Sequence, residues 1–465
     1  MTLGVYLNDA GLAVAGTDLP VVVSPSIIHA DPAQPQTFGT LALNSARLTP
    51  RLVSTEHWSV LARLGTDAPS ATRTIIRAEL RNRLNVSPQK TPVQCAVPAV
   101  LSTEALGTVL ALMRLDGMEV ASFHDAAALN VASVGLEGVT LVLEMGLGHV
   151  SATRVETEKV ETDKVETDRK VRRRASATWQ GYGLLALQQR WLRLIAEAMV
   201  LQTRFDPLHD GLSEQRLYDQ LERTYSAATF LGSASIELPT PQGALHIILT
   251  RDQFADAASK IYAQAQAVLH ELRPAGARVN ILIDERLTQL PGFIESLASL
   301  RGCRIFSHSS GLAARAAAAE VAAADGDGSV IMQRGYARRA PIESPKEIDL
   351  SNITSVGVSP THALCDGKAI ALPVGSLEIG RGPAMGGVRL PEGLAGVSRL
   401  HCALEREASS VTLVPYTSQP TWLNDERVKG RVRVLSGDRL RIGTPGVVIE
   451  LIAVGGAIHG APPQG

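Results

Sequence analysis

Short runs of strand-forming residues at close spacing occupy the C-terminal part of this chain, and they constrain its fold more than any other feature. The runs cover residues 377–379, 402–404, 411–414, 431–434 and 447–451. Glycine, proline, asparagine and serine lie between them, as expected for turns. Short strands separated by turns are typical of a β-sandwich. We therefore predict an all-β domain over 355–456, followed by a Gly/Pro-rich disordered tail over 457–465.

Charged and polar residues lie in the loops between these runs. Gly380 and Arg381 follow the first run, Ser398 and Arg399 precede the second, and His401 stands directly before it. A phosphorylated threonine carries nearly two negative charges and three strong acceptor oxygens. A guanidinium and a hydroxyl on neighbouring loops can bind such a group with charge-assisted hydrogen bonds. The spacing therefore predicts a phosphate-binding site.

These motifs resemble the forkhead-associated (FHA) domain, a β-sandwich that recognises phosphothreonine. In that family the matching arginine and serine contact the phosphate, and the matching glycine and histidine, here Gly380 and His401, are structural. The resemblance implies that the phosphopeptide-binding residues are Arg381, Ser398, Arg399, Ser418, Gln419, Thr421 and Asn424. Gln419 and Pro420 replace an asparagine and a glycine of the family pattern. We therefore expect weak selectivity for the peptide residues that follow the phosphothreonine. The implied partner is a protein phosphorylated by a Ser/Thr kinase.

The first 325 residues show a different organisation, in which strand-like and helix-like segments alternate. Helical periodicity is clear over 71–84, 103–118, 181–202 and 250–272. Buried strands are predicted at 93–98, 139–143 and 280–283. This alternation favours an α/β domain with helices covering a sheet. Proline and charged residues over 326–354 indicate a linker to the β-sandwich.

Five passages of this region resemble, in the same order, the nucleotide-binding domain of the heat-shock protein 70 family, which has an actin-like fold. They are Val-Pro-Ala at 97–99, Asp-Ala-Ala-Ala-Leu at 125–129, Glu-Met-Gly-Leu-Gly at 144–148, Thr-Arg-Asp-Gln-Phe at 250–254 and the alanine-rich stretch 311–319. The resemblance implies an actin-like fold for residues 1–325.

The nucleotide site implied by that resemblance departs from the family pattern. Tyr6 stands where the family has an aspartate, and Glu144, two residues before Gly146, replaces a second aspartate. Leu147, between Gly146 and Gly148, replaces a glycine. Asp284 and Glu285 replace two glycines of the adenosine-contacting loop. Nucleotide hydrolysis needs backbone N–H groups around the phosphates and carboxylates on magnesium. We therefore expect a vestigial site at Tyr6, Glu144, Gly146, Gly148, Asp284 and Glu285, with no catalytic residue and no bound ATP or magnesium.

Composition argues against several other classes of function. The net charge of −1 favours neither nucleic acid nor a membrane surface as a partner. The four cysteines are far apart without a CxxC pair, and the histidines lack metal-ligand spacing, so no metal site is expected. No apolar run is long enough to span a bilayer. A cytoplasmic location and a bacterial source are the expectations.

A segment built of five-residue repeats follows the predicted strand at 139–143. Residues 155–169 repeat Val-Glu-Thr-acid-base three times, and a basic run to Arg174 follows. We interpret 155–174 as a lengthened surface hairpin whose alternating charges stay in water. The alternative is a basic or threonine-bearing docking segment.

Together these observations predict a non-catalytic adaptor with an actin-like pseudo-ATPase body and a phosphothreonine-binding FHA domain. Two alternatives remain open at this level. One is an active heat-shock-protein-70-like ATPase or chaperone that its FHA domain targets. The other is a structural component of a bacterial secretion or division assembly, in which an FHA fold has lost phosphate binding.

Overall fold

The structure is a computed structural model. It describes residues 2–16, 19–84, 91–160, 168–241, 243–274, 277–300, 302–320, 330–337, 340–350, 359–407, 410–424, 426–444 and 446–453. The chain divides into two compact units. Unit 1 comprises Met1–Arg273, Val279–Ile294 and Arg304–Asp349, and unit 2 comprises Pro274–Arg278, Glu295–Cys303 and Leu350–Gly465.

The part up to residue 349 is mixed α/β. Its strands are β1 (Leu3–Tyr6), β2 (Leu12–Gly16), β3 (Leu19–Ser24), β4 (Ile28–His29), β5 (Thr37–Phe38), β6 (Val53–Ser54), β7 (Val93–Val97), β8 (Val120–Asp125), β9 (Val139–Met145), β10 (His149–Val160), β11 (Asp168–Gln180), β12 (Ser233–Thr240), β13 (Gly243–Thr250), β14 (Val279–Asp284), β15 (Cys303–His308), β16 (Ile331–Gln333), β17 (Gly335–Ala337) and β18 (Lys346–Glu347). Its helices are α1 (Thr40–Leu43), α2 (His57–Leu64), α3 (Ser70–Leu84), α4 (Thr103–Leu115), α5 (Ala126–Val134), α6 (Leu184–Thr203), α7 (Gly211–Leu231), α8 (Arg251–Leu272), α9 (Phe293–Ala298) and α10 (Leu312–Ala318). The prediction of an α/β N-terminal region is confirmed.

Two large sheets of unit 1 share one plan. The first has the order β16-β8-β7-β1-β2-β3, in which β1, β2 and β3 are antiparallel and β7 and β8 run parallel to β1. The second has the order β17-β11-β10-β9-β14-β15-β18, in which β9, β10 and β11 are antiparallel and β14 runs parallel to β9. The β1–β2 turn and the β9–β10 turn therefore occupy equivalent places in the two sheets.

Alanine-rich helices allow close packing in unit 1. Every residue of α5 is buried, and six of the seven residues of α10 are small or apolar and buried as well. A Cβ atom on Gly4 would lie 1.9 Å from the carbonyl oxygen of Ala314, so β1 and α10 approach at backbone distance. Asp125 caps α5 by accepting the N–H of Ala128 at 3.0 Å. The core around these helices fixes the ends of β1 and β9, from which the two turns project.

The charged repeat forms part of the long hairpin β10–β11, and its first unit is not fully solvated. Val155 is 0% exposed and Val171 is 2% exposed, and both belong to the unit 1 core. The hydroxyl of Thr157 donates to the carbonyl of Leu136 at 3.0 Å. The expectation of a hairpin without a buried face is therefore wrong at its base. Residues 161–167 lie outside the described residues.

The segment 326–354, which we expect to be a linker, contributes three short strands to unit 1. β16 pairs with β8, β17 with β11, and β18 with β15. The backbone groups of these strands are therefore satisfied by sheet edges, a contribution that proline and charge content do not reveal. The remainder of that segment and the predicted tail 457–465 lie wholly or partly outside the described residues.

The C-terminal region is all-β, as predicted. Its strands are β19 (His362–Cys365), β20 (Lys368–Ala371), β21 (Gly375–Gly380), β22 (Val388–Arg389), β23 (Cys402–Arg406), β24 (Val411–Pro415), β25 (Thr421–Leu423), β26 (Glu426–Arg427), β27 (Val432–Val434), β28 (Arg439–Ile442) and β29 (Val447–Ile452). They form two sheets of order β20-β19-β29-β28-β25-β26 and β22-β21-β23-β24-β27. Inward-facing residues of both sheets, such as Ile379, Leu404, Leu440 and Leu451, form one buried core.

Candidate functional site

Two loops of the β-sandwich are joined at the predicted phosphate site. The N–H of Arg381, directly after β21, donates to the carbonyl of Ser398 at 3.1 Å, and the N–H of Gly382 donates to the carbonyl of Arg399 at 2.8 Å. A Cβ atom on Gly380 would lie 2.3 Å from the Arg399 carbonyl oxygen, so only glycine allows this approach. The structure thus places Arg381 beside Ser398 and Arg399 at one end of the sandwich.

The arginines of this group have no competing carboxylate. Arg381 is half-buried and Arg399 is exposed, and neither makes an ion pair within the part of the chain that the structure describes. The Nε atom of Arg381 is buried and has no hydrogen-bond partner among the described residues. A buried donor without a partner is unfavourable, so the hydrogen-bonding capacity of this guanidinium is not fully satisfied by the described residues.

His401 connects the loops from the inside of the sandwich. It is 0% exposed, and its Nδ1 accepts the N–H of Ser398 at 3.3 Å. Burial lowers the pKa of His401, which favours the neutral ring, while the nearby Pro420 carbonyl opposes that shift. The backbone of His401 also bonds to Ile379 and Tyr416. His401 therefore orders the loops and is not exposed to a ligand.

The loop from β24 to β25 adds a residue that the sequence reasoning missed. The Ser398 hydroxyl donates to the hydroxyl oxygen of Thr417 at 3.0 Å. The Thr417 oxygen also accepts the N–H of Gln419 at 3.2 Å. Ser418 and Gln419 are exposed beside it, and Arg427 donates to the Ser418 carbonyl at 3.2 Å. The family motif predicts a contact by Ser418. Thr417 could have been predicted only from its own hydroxyl, one residue before the motif position.

Two of the predicted contact residues lie elsewhere. Thr421 is 1% exposed in β25, with its side chain on the interior face of the strand. Asn424 has a φ of 49° and uses its amide internally, donating to Asp438 at 2.7 Å and accepting the N–H of Arg439 at 2.9 Å. The structure therefore does not bring Thr421 or Asn424 to the surface with Arg381, because strand alternation and a turn fix their side chains.

The predicted vestigial site of unit 1 lies where the β1–β2 and β9–β10 turns face each other. The Tyr6 hydroxyl donates to Glu144 Oε1, and Asn8 donates to the Tyr6 oxygen at 3.1 Å. Asp9 Oδ1 accepts the N–H of Leu147 at 2.9 Å. A side chain of one turn thus satisfies a backbone N–H of the other turn, and a Cβ atom on Gly146 would meet the same Asp9 oxygen at 2.6 Å.

Charges in this region are strongly perturbed by burial. Burial raises the pKa of Glu144 to about 7, although the Tyr6 hydrogen bond works against the shift. Burial and the Glu144 charge raise the pKa of Tyr6. Burial also works to raise the pKa of Asp284, but the adjoining Arg286 guanidinium outweighs it and lowers the pKa. Arg286 donates to both Asp284 oxygens, at 3.0 and 3.1 Å, and to the Ala10 carbonyl at 3.0 Å.

The contacts of the remaining predicted residues of this region, Glu285 and Gly148, are local. Glu285 accepts the N–H of Ser310 at 3.1 Å at the surface. Ser59 Oγ would lie 3.1 Å from a Cβ atom on Gly148. Within the described residues, no cluster of three or more histidine, cysteine, aspartate or glutamate side chains is arranged to hold a metal ion. None of the described helices is long and apolar enough to cross a bilayer.

Comparison with known proteins bears on the β-sandwich. Residues 377–443 match the family model of the FHA domain. The prediction of an FHA domain in this part of the chain is confirmed, and with it a module suited to phosphothreonine-dependent protein–protein interaction. No curated protein matches the chain.

Proposed function

We propose that the protein is a non-catalytic adaptor whose FHA domain binds a threonine-phosphorylated partner. The observation that carries this proposal is that Arg381, which makes no ion pair within the described residues, lies in a loop whose backbone is hydrogen-bonded to the loop of Ser398 and Arg399. Arg399 adds a second cation at the surface of the same loops. Hydrogen bonds of a phosphate to charged donors are each worth about 1.5–3 kcal/mol, enough to separate a phosphorylated from an unphosphorylated peptide.

The departures of this domain from the family pattern bear on selectivity. Gln419 stands at the position of the asparagine that holds the peptide backbone in the family, and it is exposed with its N–H bonded to Thr417. We propose that the phosphate contributes most of the binding free energy and that the peptide residues after it contribute little. Threonine would be favoured over serine by an apolar niche for the methyl group, worth about 1–3 kcal/mol.

We further propose that unit 1 is an actin-like body that does not turn over ATP. Two sheets built on one plan, with the β1–β2 and β9–β10 turns facing each other, support the actin-like resemblance. The Tyr6–Glu144 and Asp9–Leu147 hydrogen bonds tie these turns together where the phosphates would lie. The carboxylates Glu144 and Asp284 also disfavour a triphosphate electrostatically.

A peptide-binding experiment on the full chain tests the FHA proposal. A fluorescent phosphothreonine peptide library should yield peptides that bind. The phosphoserine and the unphosphorylated forms of the same peptides should bind at least about tenfold more weakly. Arg381→Ala should abolish binding, because it removes the charged donor. Arg439→Ala is the matched control, since Arg439 is an exposed arginine of the same unit whose side chain pairs with Glu450.

The variants should melt near the temperature of the unaltered protein. A screen without any hit, or binding that survives Arg381→Ala, would leave the β-sandwich with a structural role only.

A further inference from the structure

One outer sheet face of the β-sandwich carries three large side chains that the proposed phosphate site does not use. Trp422 on β25 pairs with Arg427 on β26 on one side and with Arg441 on β28 on the other. The neighbours Thr421 and Leu423 are buried, so Trp422, on the opposite face of the strand, points away from the core. We call Arg427, Trp422 and Arg441 the arginine row.

The arginine row is accessible to a ligand and partly ordered in advance. Arg427 is exposed, and Trp422 and Arg441 are half-buried. The guanidinium of Arg441 lies over the Trp422 ring, 5.1 Å from its centroid. A cation over an indole face is attracted by the electron density of the ring. Because this stacking holds the arginine side chain, less conformational entropy is lost when it binds an anion.

The charge of Arg427 is not balanced by a neighbour. Arg427 makes no ion pair within the part of the chain that the structure describes, and its Nη2 donates to the Ser418 carbonyl at 3.2 Å. On the same sheet face, Arg439 differs because it pairs with Glu450 at 3.2 Å. A guanidinium binds a carboxylate with two parallel hydrogen bonds. The arginine row therefore favours an acidic ligand over a neutral or basic one.

Hydrogen bonds connect the arginine row to the loops of the proposed phosphate site. Arg427 donates to the carbonyl of Ser418. Thr417, one residue earlier, accepts the Ser398 hydroxyl. Trp422 follows Thr417 by five residues, and a chain of that length spans at most about 17 Å. A peptide arm of about five residues can therefore reach the row when its phosphate lies near Ser398.

We propose that the arginine row binds acidic side chains of the phosphorylated partner, within about five residues of its phosphothreonine. The carboxylates pair with Arg427 and Arg441, and their hydrocarbon stems pack on Trp422. This inference rests on the proposed phosphothreonine function and adds a preference for an acidic sequence. The preference is small beside the contribution of the phosphate, because exposed ion pairs contribute little. The net charge of −1 gives no general attraction for acidic peptides, so the preference depends on this row.

Three matched phosphothreonine peptides test the proposal on the full chain. Each has one alanine on both sides of the phosphothreonine, followed outward by three glutamates, three glutamines or three lysines. In fluorescence titrations the glutamate peptide should bind about three- to fivefold more tightly than the glutamine peptide, and the lysine peptide more weakly than both. The difference should shrink in about 0.5 M salt, where exposed charges are screened.

Variants assign the preference to the row. Arg427→Gln keeps a donor for the Ser418 carbonyl and removes the charge. It should reduce the preference for glutamate over glutamine to about twofold or less and leave the affinity for the glutamine peptide unchanged. Arg427→Lys, which keeps the charge, should retain most of the preference.

Lys368→Gln is the matched control and should keep the full preference. Lys368 is an exposed cation on β20, in the same sheet as Trp422 but four strands away from β25. At the usual spacing of strands this is about 19 Å, beyond the Debye length of about 8–10 Å at 0.10–0.15 M salt.

The outcomes separate this inference from the proposed function. Equal binding of the glutamate and glutamine peptides, with both lost in Arg381→Ala, would overturn the arginine row and leave phosphothreonine binding intact. A preference that survives Arg427→Gln would overturn it as well. If Arg427→Gln weakens both peptides equally, Arg427 only supports the loop. If none of the three peptides binds, the inference is wrong, and the library screen decides the phosphothreonine proposal.

Discussion

At the residue scale, the proposed phosphate site depends on how the hydroxyls of Ser398 and Thr417 and the imidazole of His401 are ordered. His401 accepts the N–H of Ser398, and Thr417 accepts the hydroxyl of Ser398. Hydroxyls can exchange donor and acceptor roles. When Ser398 donates to a phosphate oxygen, Thr417 can donate to Ser398 in turn. We therefore propose that Thr417 positions the Ser398 hydroxyl for the ligand without contacting the ligand itself.

Replacement of this hydroxyl should weaken peptide binding. Thr417→Val keeps the shape but leaves the Ser398 hydroxyl and the Gln419 N–H without their partner. We expect about tenfold weaker phosphopeptide affinity and a free energy of unfolding lowered by about 1 kcal/mol. Titration of the peptide and urea unfolding measure the two effects. Thr412→Val, on β24, is the control, and a Thr417→Val protein with lower stability but full affinity would reduce Thr417 to a loop support.

Motif position in the sequence predicts seven contact residues, and the structure brings Arg381, Ser398 and Arg399 together but places Thr421 and Asn424 elsewhere. Arg381 and Ser398 lie in loops on either side of paired strands, so their proximity follows from the β-pattern. Thr421 and Leu423 share the buried face of β25, with Trp422 between them half-buried. Period-two alternation contains that information, but motif position assigned Thr421 to the ligand. Asn424 could not be placed, because its role depends on a turn with positive φ.

At the element scale, one buried carboxylate joins α2, α3 and the segment after β3. Glu79 on α3 is 0% exposed, and its Oε2 accepts hydrogen bonds from Trp58 Nε1 at 2.8 Å and from the Ser26 hydroxyl. His57 Nε2 lies 3.1 Å from the same oxygen. Burial works to raise the pKa of Glu79, but the bonds from His57, Ser26 and Trp58 outweigh it and lower the pKa.

This cluster should make unit 1 sensitive to acid. Because the folded pKa of Glu79 lies below its ordinary value, its stabilisation is present above about pH 5 and is lost as the pH falls through the folded pKa. Glu79→Gln should lower the free energy of unfolding by about 1.5–3 kcal/mol at neutral pH. The difference from the unaltered protein should shrink as the pH falls. Urea unfolding over a pH series measures it.

Glu56→Gln is the control for this prediction, because Glu56 is exposed directly before α2 and caps nothing. A Glu79→Gln protein as stable as the control would contradict a stabilising role for the carboxylate.

Elements with a strong apolar period were predictable, and those without one were not. Helices α3, α4, α6 and α8 begin and end within a few residues of the predicted bounds. Helix α7 was not predicted, because its buried positions include Ser213, Gln215 and Thr224, which weaken the helical pattern. The strand β12 alternates buried Ala234, Ile236 and Leu238 with exposed positions, so its signal was present in the sequence.

At the scale of the whole molecule, each unit has a core of its own. In unit 1, Leu3, Ile76, Val109 and their neighbours form one cluster, and a second surrounds α5 and α10. In unit 2, the two sheets of the β-sandwich enclose a separate cluster. Separate cores allow separate cooperative unfolding. A ligand that binds one folded unit then stabilises that unit alone.

Thermal unfolding of the full chain should therefore show two transitions with different ligand responses. A phosphothreonine peptide at a hundred times its Kd should stabilise the FHA transition by about 2.7 kcal/mol. It should leave the other transition unchanged. ATP with magnesium should shift neither, because Asp9 already accepts the Leu147 N–H and Tyr6 holds Glu144. Scanning calorimetry measures both, and Arg381→Ala, which removes the peptide response, identifies the FHA transition. A single transition would mean that the two units unfold together. An upward shift of the unit 1 transition with ATP and magnesium would mean that the facing turns open to admit a nucleotide.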